Sequence, residues 1–308
     1  ALNYDPNATF DNGSCNFIKT YVPDDVFEAW LEGNGYGDGI AFNDSVVTSA
    51  ISSITYLNLQ NRGIADLTGI SDFNDINYLN VDGNNLTNLD LMYNYNLEYI
   101  YASYNDSLTQ VYLPDSTNST INGLNGVNVP GIFRLRLRYT NVSSIDLNRP
   151  YQFSYISMYW TPLASIDVSG SPDLTYLDVH RTHITSLDVS NNPRLNDLNA
   201  YQCDSLTELD LRNGNIVNLN YHYLNNNPLL TCISVDNLML ANALLTNVDP
   251  WVTFDYNCTG LGCMDPLAMN FDAYATTDDG SCMYCVYGCT DPLAFNYDLL
   301  ATCDDGTC

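Results

Sequence analysis

A six-residue apolar pattern returns at nearly constant spacing through the middle of the chain. Apolar residues occupy positions 1, 4 and 6, and the copies that begin at Ile132, Phe153, Leu174 and Leu195 follow in equal steps of 21 residues. Seven copies occur, namely ITYLNL, INYLNV, LEYIYA, IFRLRL, FSYISM, LTYLDV and LNDLNA. One hexapeptide predicts only an amphipathic strand, whereas seven in register predict stacked turns that bury their apolar sides against each other.

A second apolar set follows each strand after ten or eleven residues, as in LTNLDL from Leu86, VSSIDL from Val142 and ITSLDV from Ile184. This double ladder resembles a leucine-rich repeat, in which every turn adds a short strand to a continuous parallel sheet. The predicted fold class is therefore mainly β with short helices and turns, a leucine-rich repeat solenoid with a parallel sheet and small disulfide-stapled modules at both ends.

The pattern is interrupted once and is capped before its first copy. The step from Leu97 to Ile132 is 35 residues, and the excess at 114–131 is predicted as an inserted loop by its Pro, Gly, Ser and Asn content. Before the first copy, Asp24 or Asp25 is placed to start a short helix that ends at Gly33. Its predicted apolar face consists of Val26, Phe27, Trp30 and Leu31.

Cysteine-bracketed modules flank the repeats. Gly262 to Cys282 (GCMDPLAMNFDAYATTDDGSC) and Gly288 to Cys308 (GCTDPLAFNYDLLATCDDGTC) are two copies of one unit. Residues 1–15 align without a gap to the end of that unit, so we expect the chain to begin part-way through a module. We divide the chain into a truncated cysteine module at 1–15, an N-terminal helical cap at 16–53, the solenoid at 54–231, a C-terminal cap with a disulfide at 232–258, and cysteine modules at 259–284 and 285–308.

Cysteine positions predict four disulfides. The outer cysteines of each module are equally spaced, which predicts Cys263 with Cys282 and Cys289 with Cys308; closing such a loop stabilises a small unit by roughly 3 kcal/mol. Cys285 and Cys303 are predicted as a pair, because the other module has threonine at both equivalent positions. Cys232 and Cys258 bracket the last turn and form the fourth predicted pair. Cys15 lacks its module partner, and Cys203 is expected to be a buried free thiol.

Two sequence resemblances indicate where such a protein works. The LTCISVD stretch, the VPDDVFEAWL cap and the SLDVSNNP turns together resemble secreted leucine-rich repeat proteins of Bacteroidetes-type bacteria, over roughly residues 20 to 258. The terminal units resemble the GCTDPxAxNYxxxATxDDGSC repeat of surface proteins from the same bacteria. Both imply export to the bacterial cell surface, and ten cysteines at repeat spacing independently favour an oxidising, extracellular compartment.

Charge excludes several partners. Nine Lys and Arg against 36 Asp and Glu give a formal net charge of −27, which repels nucleic acid and anionic membranes. No apolar run reaches the roughly 20 residues that cross a bilayer, so we expect no direct membrane insertion. The expected partners are a glycan or protein ligand, or neighbouring copies of the chain itself.

Each C-terminal module concentrates oxygen ligands around a DDG turn, which predicts calcium as a possible cofactor because hard cations bind closely spaced carboxylate, amide and carbonyl oxygens. The alternative is that these side chains cap turns through hydrogen bonds to their own backbone. The candidate ligands are Asp265, Asn270, Asp272, Asp278 and Asp279 in one module and Asp291, Asn296, Asp298, Asp304 and Asp305 in the other.

The outward positions of the strands form an aromatic and cationic surface on the predicted concave face. With strands about 4.8 Å apart, their third residues form a nearly continuous ladder: Tyr56, Tyr78, Tyr99, Arg134, Tyr155, Tyr176 and Asp197. Such a ladder either stabilises the sheet or binds a ligand, since rigid Tyr and Arg side chains anchor partners well. The predicted ligand-binding residues are Tyr99, Tyr101, Arg134, Arg136, Arg138, Tyr155, Tyr159 and Tyr176.

A second column, of aspartates, precedes the last apolar residue of the second ladder, and turn capping is its preferred explanation. No nucleophile motif is present and the three histidines form only a weak metal pattern, so the chain is expected not to be an enzyme. The predicted function is binding or adhesion at the cell surface through the concave face. The alternative is a structural subunit of an extracellular filament, stalk or matrix that assembles through its flanking modules.

Overall fold

The chain folds into a β-solenoid of short strands with three short α-helices. The computed structural model describes residues 17–114, 134–147, 153–258 and, apart from 272–274, 279, 281, 293, 299 and 305, residues 260–308. In chain order the helices and strands are β1 (Lys19–Tyr21), α1 (Asp25–Gly33), β2 (Ser45–Val47), α2 (Thr48–Ile51), β3 (Tyr56–Asn58), β4 (Tyr78–Asn80), β5 (Asn88–Asp90), β6 (Tyr99–Tyr101), β7 (Gln110–Tyr112), β8 (Arg134–Arg136), β9 (Tyr155–Ser157), β10 (Tyr176–Asp178), β11 (Ser186–Asp188), β12 (Asp197–Asn199), β13 (Glu208–Asp210), β14 (Tyr221–Tyr223), β15 (Cys232–Ser234), α3 (Leu238–Leu244), β16 (Thr253–Asp255), β17 (Leu261–Gly262), β18 (Thr277–Asp278), β19 (Tyr287–Gly288) and β20 (Cys303–Asp304).

Eight of these strands form one parallel sheet along the solenoid. Their spatial order is β14-β12-β10-β9-β8-β6-β4-β3. On the other side of the turns, β11, β13, β15 and β16 form a parallel four-stranded sheet, and β5 pairs with β7. The predicted fold class, a leucine-rich repeat solenoid with a parallel sheet, is confirmed.

Each strand of the large sheet buries its middle residue in the core and turns its two neighbours to the opposite face, because side chains alternate between the two faces of a strand. The buried row consists of Leu57, Leu79, Ile100, Leu135, Ile156, Leu177 and Leu198. Burying one such side chain stabilises the fold by roughly 1.5–3 kcal/mol. Repetition of this contribution from turn to turn holds the stack together.

The sheet has one more strand than the hexapeptide pattern predicts. In β14 a histidine, His222, occupies the position where the preceding strands have a leucine or isoleucine. The side chain is buried, and its Nε2 accepts a hydrogen bond from the Thr246 amide at 3.1 Å. Because a polar residue occupies this core position, the apolar hexapeptide pattern does not detect this turn.

The inserted segment does not disturb the register of the sheet. Tyr99 of β6 pairs directly with Arg134 of β8. The strands that precede and follow the inserted segment are therefore direct neighbours in the stack. Apart from Pro114, the predicted loop lies outside the described residues.

A polar row runs beside the buried leucines, six residues after the start of each strand of the eight-stranded sheet except β3. Its members are Asn84, Asn105, Thr140, Thr161, Thr182, Cys203 and Asn227. Asn105 Nδ2 donates to the carbonyls of Val81 and Ala102, both at 3.0 Å, and Thr182 Oγ1 donates to Val179 O at 2.7 Å. Cys203 is the buried free thiol that was expected, and its Sγ donates to Val179 O at 3.2 Å. Cysteine thus takes the place of the threonine or asparagine found in the other turns.

Helix α1 covers the first turn of the solenoid. Asp24 caps the helix because its Oδ1 accepts hydrogen bonds from the Val26 and Phe27 amides, while its Oδ2 accepts from Ala65 N and Asp66 N in the solenoid. Phe27 and Leu31 are fully buried. The prediction was wrong for Val26, which is 43% exposed; the core side of the helix instead includes Glu28, whose buried carboxylate accepts two backbone N–H groups.

The C-terminal modules are small units with two-residue parallel strand pairs, β17 with β18 and β19 with β20. Among the described residues four disulfides are present, and they join the four predicted pairs: Cys232–Cys258, Cys263–Cys282, Cys285–Cys303 and Cys289–Cys308. The truncated module at 1–15, with Cys15, lies outside the described residues.

Candidate binding face

The residues of the eight-stranded sheet that lie on the side opposite the leucine core form three parallel rows, which together we call the tyrosine face. The first row consists of Tyr56, Tyr78, Tyr99, Arg134, Tyr155, Tyr176, Asp197 and Tyr221. The second row includes Tyr101, Arg136, Ser157, Asp178, Asn199 and Tyr223. The third row includes Ser103, Arg138, Tyr159, His180 and Tyr201. The structure therefore brings all eight predicted ligand-binding residues onto one surface.

Tyrosine rings of the first row stack on one another where they are neighbours. Tyr56 and Tyr78 are stacked with ring centroids 4.3 Å apart, and Tyr155 and Tyr176 with centroids 4.1 Å apart. Burial and the neighbouring Asp178 carboxylate raise the pKa of Tyr176, so its phenol stays protonated and donates to Asp178 Oδ2 at 3.2 Å. These rings are held in fixed positions.

Each arginine of β8 and its extension lies over a different tyrosine ring. The Cζ atom of Arg134 is 5.3 Å from the ring centroid of Tyr155. The same distance is 4.6 Å from Arg136 to Tyr101 and 4.9 Å from Arg138 to Tyr159. Cation–π contacts of this kind each contribute roughly 0.5–2 kcal/mol, depending on desolvation. Three cations are thus immobilised at the centre of the face.

Arg136 has an additional partner, the carboxylate of Asp82. Its Nη2 lies 3.6 Å from Asp82 Oδ2, whose side chain is only 6% exposed. Burial raises the pKa of Asp82, although Ser103 N and Arg136 act in the opposite direction. The Nε atom of Arg136 is buried and has no hydrogen-bond partner within the described parts of the chain.

Arg134 and Arg138 keep their charges available. Arg138 Nε donates to Ser157 Oγ at 2.8 Å and its Nη2 donates to the Tyr155 hydroxyl. Neither Arg134 nor Arg138 forms an ion pair with a carboxylate of the described residues. Cationic side chains at these positions distinguish this patch from the rest of an acidic protein.

A fourth row borders the tyrosine face, and sequence reasoning missed it. Five residues after the start of each strand, the backbone adopts a left-handed conformation that turns the next, polar-row residue inward. We call these positions the edge row: Asn61, Gly83, Tyr104, Tyr139, Trp160, Arg181, Gln202 and Asn226. Glycine and asparagine tolerate this conformation, whereas bulky residues are strained in it by roughly 1 kcal/mol or more. Tyr104, Tyr139 and Trp160 are therefore not the residues that backbone stability favours.

The aromatic members of the edge row form a continuous stack. Ring centroids of Tyr104 and Tyr139 are 4.8 Å apart, those of Tyr139 and Trp160 are 5.7 Å apart, and Arg181 Cζ lies 4.4 Å from the Trp160 ring. The sequence signal for this stack is an aromatic residue five positions after the start of three consecutive strands of the sheet, where the other turns have Asn, Gly, Arg or Gln. Recognising it requires knowing that this position is left-handed.

Several described residues of the predicted calcium sites form hydrogen bonds with the backbone, and three of them cap turns. Asp278 Oδ1 accepts from Gly280 N and Asp304 Oδ1 from Gly306 N, both at 3.0 Å, and Asp298 Oδ1 accepts from Leu300 N at 2.9 Å. Asn270 Oδ1 accepts from Met283 N, and Asn296 Nδ2 donates to Thr307 O. Asp272, Asp279 and Asp305 lie outside the described residues.

Asp265 is held by two donors, which together lower the pKa of its carboxyl. Its Oδ1 accepts from the Leu267 amide at 2.9 Å, the larger cause, and its Oδ2 accepts from the Tyr284 hydroxyl at 2.8 Å. Within the described ranges, the carboxylates that do gather within 4.8 Å of one another are Asp25, Glu28 and Asp44, in the N-terminal cap. Calcium binding by the modules remains a prediction.

The aspartate column of the second ladder also caps turns. Asp90, Asp188 and Asp210 each accept a hydrogen bond from the amide two residues further on, at 2.8 to 3.0 Å. Asp167 does the same with Ser169, whose amide and hydroxyl lower the pKa of Asp167. The column is thus explained by local backbone geometry.

Comparisons with known proteins show likeness of a low degree. A scan of protein-family models gives no match, and a search of curated proteins gives none. Among solved structures, a leucine-rich repeat protein of Leptospira interrogans is 17% identical with a TM-score of 0.39, over 67% of this chain and 55% of that chain. The functional domain of InlJ from Listeria monocytogenes, which includes a cysteine ladder, is 17% identical with a TM-score of 0.26, over 78% and 71%. Internalin C2 of Listeria monocytogenes is 17% identical with a TM-score of 0.30, over 78% and 100%.

Identities and TM-scores this low do not indicate a shared function, so the function of this chain is inferred from its own residues. Two further observations concern its surroundings. Among the described residues, no helix is both long and apolar enough to pass through a bilayer. Four disulfides fit an extracytoplasmic, oxidising compartment.

Proposed function

We propose that this chain is a non-enzymatic bacterial surface protein that binds an anionic partner on the tyrosine face. The binding centre consists of Arg134, Arg136 and Arg138, supported by the neighbouring tyrosines. One observation carries the proposal: each guanidinium is fixed over a tyrosine ring. Pre-positioned cations lose little conformational entropy when a partner binds, so more of the interaction energy appears as affinity.

Charge supports an anionic partner. A chain with a net charge of −27 repels anions at long range, but that repulsion is screened beyond about 8 Å at physiological ionic strength. At shorter distance the three arginines dominate the centre of the face. An acidic glycan and an acidic polypeptide both offer the complementary charge. Binding to immobilised polymers of each kind distinguishes these two classes of partner.

The test uses the variant Arg134→Ser/Arg138→Ser, which leaves the Arg136–Asp82 ion pair intact. Its matched control is Lys19→Ser/Arg194→Ser, which removes the same charge away from the tyrosine face. Both are compared with the wild type for retention on immobilised polygalacturonate and on immobilised polyglutamate. We expect the wild type and the control to bind at least one polymer in a salt-sensitive manner, and the face variant to lose most of that binding.

Two outcomes contradict the proposal. If neither polymer retains the wild type, the face does not bind anions. If both double variants lose binding equally, net charge rather than the tyrosine face is responsible. Circular dichroism of each variant establishes that the solenoid is intact.

A structural subunit that assembles through its modules is the second candidate function. Its support is the exposure of large apolar side chains on both C-terminal modules, including Leu267 and Phe295. Exposed apolar patches often mark surfaces that contact another protein. The double variant Leu267→Ser/Phe295→Ser should abolish concentration-dependent assembly, measured by analytical ultracentrifugation. If the wild type stays monomeric at all concentrations, this function is rejected.

A further inference from the structure

One end of the tyrosine face contains a shallow depression that the sequence analysis did not assign. Its volume is about 340 Å³, at the lower end of the range for small-molecule sites. It lies over β10, β12 and β14 and is lined by Trp160, His180, Arg181, Asn199, Tyr201 and Tyr223. We propose that this depression binds one acidic sugar unit, a pyranose ring carrying a carboxylate, of a polysaccharide that lies along the face. The proposal rests on, and deepens, the proposed binding function.

Two tyrosine rings of the depression, those of Tyr201 and Tyr223, are not stacked on a neighbouring ring of the described residues, unlike those at the other end of the sheet. Tyr56 and Tyr78 cover each other, and Tyr78 also contacts Tyr99 and Tyr101. No described aromatic residue stacks on Tyr201 or Tyr223, and Tyr223 is 49% exposed. The apolar C–H face of a sugar ring packs on such a surface, since aromatic side chains combine large contact area with few rotatable bonds.

Polar groups around these rings are already oriented by the protein. Arg181 has its guanidinium over Trp160 and donates from Nε to Gln202 Oε1 at 2.9 Å, which leaves both terminal nitrogens for a ligand. No described carboxylate forms an ion pair with Arg181. A planar guanidinium with two free nitrogens matches a carboxylate in geometry and charge.

His180 and Tyr201 are oriented in the same way. His180 stacks on Tyr159 at 4.3 Å, and its Nδ1 lies 2.6 Å from Asp178 Oδ1, so Nε2 is the ring atom left for a sugar hydroxyl. The Tyr201 hydroxyl accepts from Asn226 Nδ2 at 2.7 Å and retains its own proton to donate. Hydroxyl, imidazole and guanidinium groups therefore converge on one small volume.

The position in the sheet favours a sugar over a peptide. Extended peptides bind by adding a strand to a sheet edge, where backbone groups are unpaired. The depression lies on the face of the sheet, and the backbone groups beneath it are used between turns: Trp160 N donates to His180 O and Arg181 N donates to Tyr201 O. Only side chains are offered to the ligand. Hydroxyls and a carboxylate on a compact ring suit such a surface.

The backbone at the rim supports a binding role. Trp160 and Arg181 occupy left-handed positions of the edge row, where Gly83 and Asn61 show that smaller residues suffice. Strained residues that a smaller side chain could replace often occur at binding sites. Their side chains form one wall of the depression.

The test measures binding of tetragalacturonate to the full chain by isothermal titration calorimetry. Its methyl ester and tetraglutamate serve as probes that lack the charge and the sugar, respectively. Tyr223→Ala and Arg181→Gln are the site variants, and Tyr112→Ala, an exposed tyrosine on β7, is the control. We expect tetragalacturonate to bind, each site variant and the methyl ester to weaken binding about tenfold or more, and Tyr112→Ala to have no effect.

Three results overturn the subsite. Equal binding of tetraglutamate shows that charge alone is recognised and favours a polypeptide partner. Unchanged affinity in both site variants places the ligand elsewhere. No binding of tetragalacturonate, with polygalacturonate still retained by the wild type and released by Arg134→Ser/Arg138→Ser, removes this subsite but leaves the proposed function standing.

Discussion

The ion pair between Arg136 and Asp82 links the binding face to the stability of the solenoid. Replacing Arg136 with serine removes the ion-pair partner of the nearly buried Asp82 carboxylate, whose Oδ1 still accepts a hydrogen bond from the Ser103 amide at 2.7 Å. Replacing Asp82 with asparagine keeps an acceptor for that amide and removes the charge. We therefore expect Arg136→Ser to destabilise the fold, and Asp82→Asn to remove much of the effect when the two changes are combined.

The expected coupling follows from the geometry. At the 3.6 Å separation of Arg136 Nη2 and Asp82 Oδ2, the Coulomb energy is about 1 kcal/mol in water and about 5 kcal/mol at an effective dielectric constant of 20. The Arg136 side chain retains 28% exposure, which places the pair between these limits. We expect a coupling free energy of about 2 kcal/mol from the double-mutant cycle. The lost contact between Arg136 and Tyr101 cancels in the cycle.

The effect of Arg136→Ser should depend on pH, with a defined sign. Burial already raises the pKa of Asp82 above its usual 3.8, so the folded state holds this proton more tightly than the unfolded state. The contribution of such a group to the free energy of unfolding is largest below pH 3.8 and falls as the pH rises through the folded-state pKa. Removing Arg136 raises that pKa further. The destabilisation should therefore grow from acidic to neutral pH, and Asp82→Asn should abolish this pH dependence.

Urea unfolding of the wild type, both single variants and the double variant, followed by circular dichroism at several pH values, provides the measurement. The midpoints are compared at constant slope, because a changed slope would indicate a change in cooperativity. A coupling below about 0.5 kcal/mol, or a destabilisation by Arg136→Ser that is the same at acidic and neutral pH, would refute the assigned role of the ion pair.

Two further predictions concern stability away from the face. If the modules bind calcium, chelation with EGTA should lower their unfolding temperature and increase proteolysis within 262–308, with little effect on the solenoid. The reason is that an ion bound only to the folded form stabilises it by mass action. No change in either assay would mean that the Asp and Asn residues only cap turns. Asn105→Ala should destabilise the solenoid by about 3 kcal/mol, since it leaves the buried carbonyls of Val81 and Ala102 without this donor. Asn191→Ala, an exposed asparagine of the same solenoid, should change thermal midpoints little, and equal effects of the two would contradict the assigned polar row.

The solenoid and the tyrosine face could be predicted because both follow from simple periodicities. Alternation along a strand places Tyr99 and Tyr101 outward on either side of buried Ile100. The constant repeat then brings Tyr155 beside Tyr176 in space. The disulfide between Cys285 and Cys303 could be predicted for a different reason, because the chain contains a second module that lacks both cysteines.

The remaining features depend on three-dimensional context that the pattern does not carry. His222 fills a core position because Thr246 N, far along the chain, supplies a hydrogen bond. The partner of each arginine is set by side-chain geometry across strands, so Arg134 packs on Tyr155 while Arg136 packs on Tyr101 in the opposite direction. The edge row was missed because hydrophobic periodicity contains no signal for a left-handed backbone.

The tyrosine ladder has two explanations, and the structure supports a different one at each end of the sheet. At the N-terminal end, Tyr56, Tyr78 and Tyr99 contact one another across adjacent strands. Pairs of this kind contribute roughly 0.2–1 kcal/mol each to a sheet, so their presence there requires no ligand. At the C-terminal end, Tyr201 and Tyr223 lack such neighbours among the described residues. The polar groups beside them are oriented by other side chains, and no described carboxylate forms an ion pair with Arg181. We propose that this arrangement serves binding. Substitutions at Tyr56 should therefore affect unfolding more than binding, and substitutions at Tyr223 should do the reverse.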